Sequence, residues 1–302
     1  MQIAGLRHHA LVYDSEDEYL SCAVPFVKAG LEAGEGAIVA HTKPGLAAMR
    51  EALGPDAREV SFVDVGSAYT RPAQTLAAFH SDFRVKLEQA PALRTVADVQ
   101  VGPDRRDWDL WAGYEAVTNR SFAHLPVWVV CSYHVDSTPD PIIERVWETH
   151  PEVVAGGRSV ASERYEDPDE LLRRLTPPPA PLAGLRSIPF GGGVEGLREA
   201  LARELAAQEV SEAKALELLL AATEVGANAI QHGGGIVDVR AGRADGRFVC
   251  EIVDGGSGFD DPAAGYLAPR DDIGQGLWVA RQLVWRLELF RTPAGFTARI
   301  WL

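Results

Sequence analysis

The first chemical signal lies in the C-terminal third. Residues 212–231 are apolar almost throughout, yet they carry Glu217, Glu224, Asn228 and Gln231. At about 100° per residue, steps of seven, four and three set these side chains on one narrow helical stripe. Alone, such a stripe is what a solvated helix face looks like. Two glycine turns downstream change its meaning. A strand-like run, 248–253, leads into Asp254-Gly255-Gly256-Ser257-Gly258, and Gly274-Gln275-Gly276 opens a helix at Leu277-Trp278-Val279-Ala280. Glycine lets backbone approach a ligand closely, and a glycine-preceded helix N-terminus offers unpaired N–H groups and positive dipole to phosphate. Magnesium is a hard cation that takes oxygen ligands and keeps several waters, so one Asn carbonyl plus phosphate oxygens can suffice to hold it. Phosphoryl transfer further needs a carboxylate to accept a hydroxyl proton, and Glu224 has that position one turn from Asn228. Residues 259–273, between the two turns, have the Gly, Pro and Asp content of a mobile lid.

The elements that must hold these residues can be read from periodicity. Residues 194–207 and 212–231 form helices, with Ser211 placed to cap the second. Strands follow at 236–241, 248–253, 285–291 and 296–302, with a short helix at 278–284. Helices first and strands later give an α+β layer pattern. Upstream, Pro177-Pro178-Pro179-Ala180-Pro181 cannot sit in a helix interior or a central strand. The boundary therefore falls there: one domain over 1–172, a linker over 173–186 and a second domain over 187–302. In the first domain strands at 9–13, 36–41, 60–64, 94–101 and 127–133 alternate with amphipathic stretches, the rhythm of an α/β fold with a mainly parallel sheet covered on both faces. Its first helix starts at the capping box Ser15-Glu16-Asp17-Glu18, continues through Leu20, Ala23, Val24, Val27 and Leu31, and ends at Gly34. Together with 9–13 and 36–41 it makes one βαβ unit.

The chain has 302 residues, 46% hydrophobic and 24% charged, an ordinary globular composition. Its 43 acidic against 29 basic residues give a formal net charge of −14, and no basic cluster offsets it, which argues against direct nucleic-acid binding. Neither a leader pattern nor a membrane-spanning apolar run occurs, so a cytoplasmic, membrane-free protein is expected. Cys22, Cys131 and Cys250 lie far apart without metal or disulfide spacing and read as reduced packing residues.

Glu224-x-x-x-Asn228 with His232-Gly233, then Asp254-x-Gly256-x-Gly258, then Gly274-x-Gly276-Leu277-Trp278, resemble the three boxes of the histidine-kinase-like ATPase superfamily, a two-layer sandwich. The short spacing and the Gly-Leu-Trp-Val-Ala-Arg-Gln-Leu run are most similar to RsbW-type anti-sigma-factor serine/threonine kinases. The resemblance implies ATP and Mg²⁺ as cofactors. Asn228 would hold Mg²⁺ against the phosphates, Glu224 would orient or deprotonate the attacking hydroxyl, and Asp254 would accept from the adenine amino group. Gly256 and Gly258 would make room for the nucleotide, and Gly274 and Gly276, with Leu277 behind them, would cradle phosphate. A sensor histidine kinase would need a phosphoacceptor hairpin, which is missing between linker and boxes; His232 reads as a helix-end residue. Where the family has an Asp after the Gly-Leu-Trp helix, this chain has Trp285. That departure keeps open a catalytically silent module that binds ATP and acts by sequestration, with an orphan sensor histidine kinase as a third, weaker reading.

In the first domain His8-His9, Tyr13, Pro25-Phe26-Val27, Gly30-Leu31, Gly34-Glu35, Asp64, Glu115-Ala116-Val117-Thr118-Asn119, Cys131-Ser132-Tyr133 and Thr149-His150-Pro151 resemble the MEDS sensory domain. Its fold would be a RecA-like layer sandwich, although no phosphate-binding Gly-x-x-x-x-Gly-Lys-Ser/Thr loop occurs. His134 departs from the family pattern. His8, His9, His134 and His150 are candidates to converge on a metal or polar ligand, and Tyr13, Trp108, Trp111 and Tyr114 to line an apolar pocket. The joined architecture is similar to RsbA-type anti-sigma regulators. It implies a partner-switching regulator that sequesters a sigma factor, phosphorylates a STAS-type anti-anti-sigma protein, homodimerises through its kinase domain, and answers a small-molecule or other signal at its first domain.

Overall fold

The computed structural model describes residues 3–68, 71–100, 105–177, 180–267 and 275–302, those at 67, 68, 105 and 106 by their backbone only. The chain divides into two compact units, Met1–Leu175 and Thr176–Leu302.

The first unit runs β1 (Arg7–Tyr13), α1 (Glu16–Glu32), β2 (Gly36–His41), α2 (Lys43–Leu53), a 3-10 turn (Gly54–Glu59), β3 (Val60–Asp64), α3 (Val65–Ala68), α4 (Pro72–Leu87), β4 (Leu93–Asp98), α5 (Arg105–Ser121), β5 (Val127–His134), α6 (Asp140–Thr149), β6 (Glu152–Ala155), β7 (Arg158–Ala161) and α7 (Pro168–Leu175). The sheet has the order β3-β2-β4-β5-β1-β6-β7. Its ladders are parallel from β3 to β6, and β7 closes an antiparallel hairpin at Gly156-Gly157, both at positive φ. The mainly parallel layer sandwich expected from the sequence is what the structure has. Leu11, Val39 and Val96 bury one face under α1 and α2, while α4, α5, α6 and α7 pack together in the other layer.

Local signals set the elements, not their neighbours. Ser15 caps α1 by accepting from the Glu18 N–H at 3.3 Å, and Glu18 Oε2 accepts from the Asp14 N–H at 2.9 Å rather than from Ser15. β1 and β2, read as one βαβ unit, are not adjacent. β4 and β5 insert between them, because hydrophobic patterning assigns faces but leaves pairing order open. The fourth strand ends at Asp98 rather than at 101, which lies outside the described residues.

The second unit runs β8 (Leu185–Ser187), α8 (Gly193–Ala207), α9 (Glu212–His232), β9 (Ile236–Ala244), β10 (Arg247–Asp254), α10 (Gly276–Leu283), β11 (Arg286–Thr292) and β12 (Gly295–Trp301). Its antiparallel sheet, β11-β12-β10-β9-β8, buries Val239, Cys250, Ile252, Ala298 and Ile300 under Leu197 and Leu201 of α8, Leu218 and Val225 of α9, and Ala280 of α10. On the opposite face Arg299, 2% exposed, is paired with Glu251 at 2.6 Å and donates to the Ala180 carbonyl at 3.0 Å.

The expected linker is shorter than 173–186. Leu171, Leu172 and Leu175 are buried, which carries α7 to Leu175, and Leu185–Ser187 pairs with β9 as an edge strand. Ser211 stands at the N-cap of α9 but makes no side-chain capping bond.

Candidate functional site

The stripe on α9 faces α10. A Cβ at Gly276 would stand 2.9 Å from Glu224 Oε2 and 3.4 Å from Asn228 Nδ2, so any larger residue there would push the ends of these two side chains aside. Glu217, two turns earlier, is engaged instead by Lys214 at 2.9 Å, and Gln231 is exposed. Thr223, beside Glu224, accepts from Arg198 at 2.7 Å and donates to the Leu219 carbonyl at 2.6 Å, which ties this turn of α9 to α8.

At the other end, β10 delivers Asp254. Its Oδ1 accepts from the Gly256 N–H at 2.8 Å, an Asx turn that directs the rest of the carboxylate outward. Burial raises its pKa above the usual Asp range, and the Gly256 bond pulls partly the other way. Gly233 is pressed against the Asp254 carboxyl, and a Cβ at Gly256 would meet Gly233 Cα at 2.8 Å. Gly258, at φ +63°, packs on the Phe296 ring, which also meets Phe259 at 5.2 Å between centroids. Only a residue without Cβ fits at these two turns.

Between these ends lies a cavity of about 420 Å³, lined by Asn228 and His232 of α9, Asp254, Gly258, Leu277 and Phe296, among others. One end is apolar with a single carboxylate; the other has a carboxamide and a helix N-terminus. Gly274 lies outside the described residues. The segment read as a mobile lid is held down in its described half. Arg281 donates to the Ala264 carbonyl at 2.7 Å and stacks on Tyr266 at 4.1 Å, and Gly265 abuts Leu277. Trp285 stands away from Asp254. It hydrogen-bonds Trp301 and carries the Arg247 guanidinium on its ring at 3.8 Å. Its neighbour Arg286 pairs with Trp301, whereas Asp254 pairs with Phe296, five residues or about 17 Å back along β12.

The histidines of the first unit do not converge as one group. Successive strand residues point to opposite faces, so His8 and His9 part. His8 meets His150 at 4.2 Å between ring centroids, next to Glu115 and Cys131. His9 lies against Trp128 and 3.6 Å from Glu152, in a separate cavity of about 300 Å³, and burial lowers its pKa to about 4. Tyr13 and His134 meet at the carboxyl ends of β1 and β5, at 5.1 Å. There Tyr13 donates to Asp98 at 3.4 Å, His41 stands 3.5 Å from the same carboxylate, and Gln100 donates to it. Trp111 and Tyr114 pack edge-on within α5, away from Tyr13, which joins the α1–α2 layer, so they form no common wall. Cys131 is not simply a packing residue, because its sulfur faces His8 and Glu115. Asp98 and His41 were not singled out from the sequence: they end different strands and meet only once β2 and β4 pair.

The fold and cavity of the second unit define its class, an α+β sandwich with a ligand pocket between helical layer and sheet. Residues 193–301 match the family model of the histidine kinase-like ATPase domain, and residues 7–151 that of MEDS, the methanogen/methylotroph DcmR sensory domain. The chain thus joins a MEDS domain to a histidine kinase-like ATPase domain. No curated protein matches it. Among the described residues, no helix is long and apolar enough to cross a membrane.

Proposed function

We propose that the second unit is an Mg-ATP-dependent serine/threonine kinase of the anti-sigma type, acting on a STAS-type anti-anti-sigma protein and sequestering a sigma factor, under control of a signal bound by the first unit. The observation that carries the reading is the close seat of Gly276 on Glu224 and Asn228, in line with a cavity that ends on Asp254. The donor set fits the nucleotide. Asp254 has one carboxylate oxygen left for an exocyclic amine, and the Asn228 carboxamide beside the α10 N–H groups suits a hard cation and phosphate oxygens. Bound Mg²⁺ would neutralise charge on the transferring phosphoryl group.

The chain's own residues then have distinct parts. Asp254 reads the base, the glycines at 256 and 258 admit its plane, and the start of α10 holds phosphate. Glu224 takes the hydroxyl proton of the incoming serine or threonine. A signal at the first unit can act only by binding one conformation better than another. Trp285, which motivates the reading as a silent module, stacks under Arg247 beside Trp301 and leaves the Asp254 end of the cavity untouched.

The test is transfer of labelled γ-phosphate to the STAS-domain proteins of the source organism. Acid-stable phosphate on a partner, abolished by Glu224→Gln with nucleotide binding retained, is expected. Acid-labile phosphate on the protein itself, or no transfer to any partner while an established anti-sigma kinase transfers in parallel, overturns the reading.

A further inference from the structure

The first unit buries four metal-binding side chains together. His8 of β1, Glu115 of α5, Cys131 of β5 and His150, just after α6, each direct one donor atom to a point where all four atoms lie within 4.8 Å of one another. The separations are 3.3 Å for His8 Nε2 to Cys131 Sγ, 3.3 Å for His8 Nε2 to Glu115 Oε2, 3.7 Å for Cys131 Sγ to Glu115 Oε2 and 3.8 Å for His150 Nε2 to Glu115 Oε2. Tetrahedral zinc with its usual bonds to sulfur, imidazole and carboxylate spaces its donors about 3.3–3.6 Å apart. The four separations given already lie near that range.

Its surroundings fix which way the lone pairs point. Asn119 Nδ2 donates to the carbonyls of Glu115 and Thr149, which leaves Oδ1 to accept from His8 Nδ1 at 3.0 Å. His150 Nδ1 donates to the Val146 carbonyl at 3.1 Å. Nδ1 of both rings is thus engaged outward, and Nε2 of each faces the cluster. Tyr133 donates to Glu115 Oε1 at 2.9 Å and leaves Oε2 facing the cluster. His8 Nε2, His150 Nε2, Glu115 Oε2 and the Cys131 sulfur thus face one another in a space that excludes water. His150 is fully buried, and among the described residues its Nε2 has no hydrogen-bond partner. Buried acceptors without a donor are costly.

We propose that these four residues form a closed site for one divalent transition-metal ion of the zinc type. Binding exchanges the Cys131 S–H for a sulfur–metal bond and releases the proton to solvent. Two neutral imidazoles, one thiolate and one carboxylate then balance a 2+ charge, which removes the penalty of an uncompensated buried ion. The mixed N, S and O donor set disfavours Mg²⁺ and Ca²⁺, which take oxygen. Outward donation from both imidazoles is the support that metal-bound histidines need.

The test uses the full chain, stripped with chelator, free of nucleotide, and titrated with Co²⁺. One equivalent per chain is expected, with tetrahedral ligand-field bands and a thiolate-to-cobalt charge-transfer band that Zn²⁺ abolishes. Cys131→Ser should remove the charge-transfer band. Asn119→Leu should keep it and weaken binding about 10- to 100-fold, the usual cost of losing a ligand's support. Substoichiometric uptake by folded protein, or a band that survives Cys131→Ser, overturns the site. Should a variant fail to fold, the wild type decides alone: Zn²⁺ must raise its melting temperature, and an unmoved melt with no charge-transfer band refutes the proposal.

Discussion

Asp254→Asn isolates what the carboxylate does for the nucleotide. In the wild type one oxygen accepts from the Gly256 N–H at 2.8 Å, and an Asn carbonyl can keep that bond and the turn it holds. Only the outward atom changes, from an ionised acceptor to an NH₂ that meets the adenine amino group donor to donor. Loss of a hydrogen bond to a charged group is worth about 1.5–3 kcal/mol, and at about 1.4 kcal/mol per decade that is roughly ten- to a hundredfold in Kd. Calorimetric titration with Mg-ATP should show this weakening, and Mg-GTP should lose less, because guanine presents an acceptor at the corresponding position. Folding should not suffer. Burial raises the Asp254 pKa, so its charged form opposes the folded state above the ordinary Asp pKa, and the neutral amide should hold or raise the melting temperature. A change in Kd below threefold, with the protein folded, would refute the assignment of Asp254 to the base.

The same shift sets a pH dependence. As pH falls, Asp254 takes up its proton sooner than a solvated aspartate, so Mg-ATP affinity should decline on the acid side at a higher pH than for an exposed Asp, and Asp254→Asn should flatten that limb in a calorimetric pH series. Gly276→Val places methyl groups against Glu224 and Asn228; it should weaken Mg-ATP by about tenfold or more, 1.4 kcal/mol, while circular dichroism stays unchanged, because the atoms it meets end flexible side chains. Glu251→Ala removes the nearest counter-ion of the buried Arg299 guanidinium, leaving it Glu288 at 3.6 Å, and should cost about 1.5–3 kcal/mol, the worth of a hydrogen bond between charged groups, in urea unfolding of the second unit. A loss below about 1 kcal/mol, the level of a surface pair, would mean that water reaches Arg299.

How far the sequence reaches can be seen residue by residue. Gly36–His41 could be bounded from its apolar run alone, because a strand covered on both faces leaves no polar alternation to blur its ends. The second-unit pocket was legible because its residues come from ordered local motifs: a helix stripe, an Asx-glycine turn and a glycine-led helix. Pairing order was not, since nothing in β1 or β2 tells that β4 and β5 will lie between them. Cys131 was misread for a similar reason. Its partners His8 and Glu115 are 123 and 16 residues away, and no periodicity within a strand reports a contact made across a sheet to a helix. Trp285 could not be weighed until the β11–β12 register placed its neighbour Arg286 opposite Trp301, away from Asp254.

The central claim is that the second unit binds Mg-ATP through Asn228. Calorimetric titration of Mg-ATP into the full chain and into Asn228→Ala, at one salt concentration, tests it most directly. Stoichiometric binding by the wild type that the substitution abolishes is the predicted result. Equal binding by both proteins, or none by the folded wild type, would contradict it.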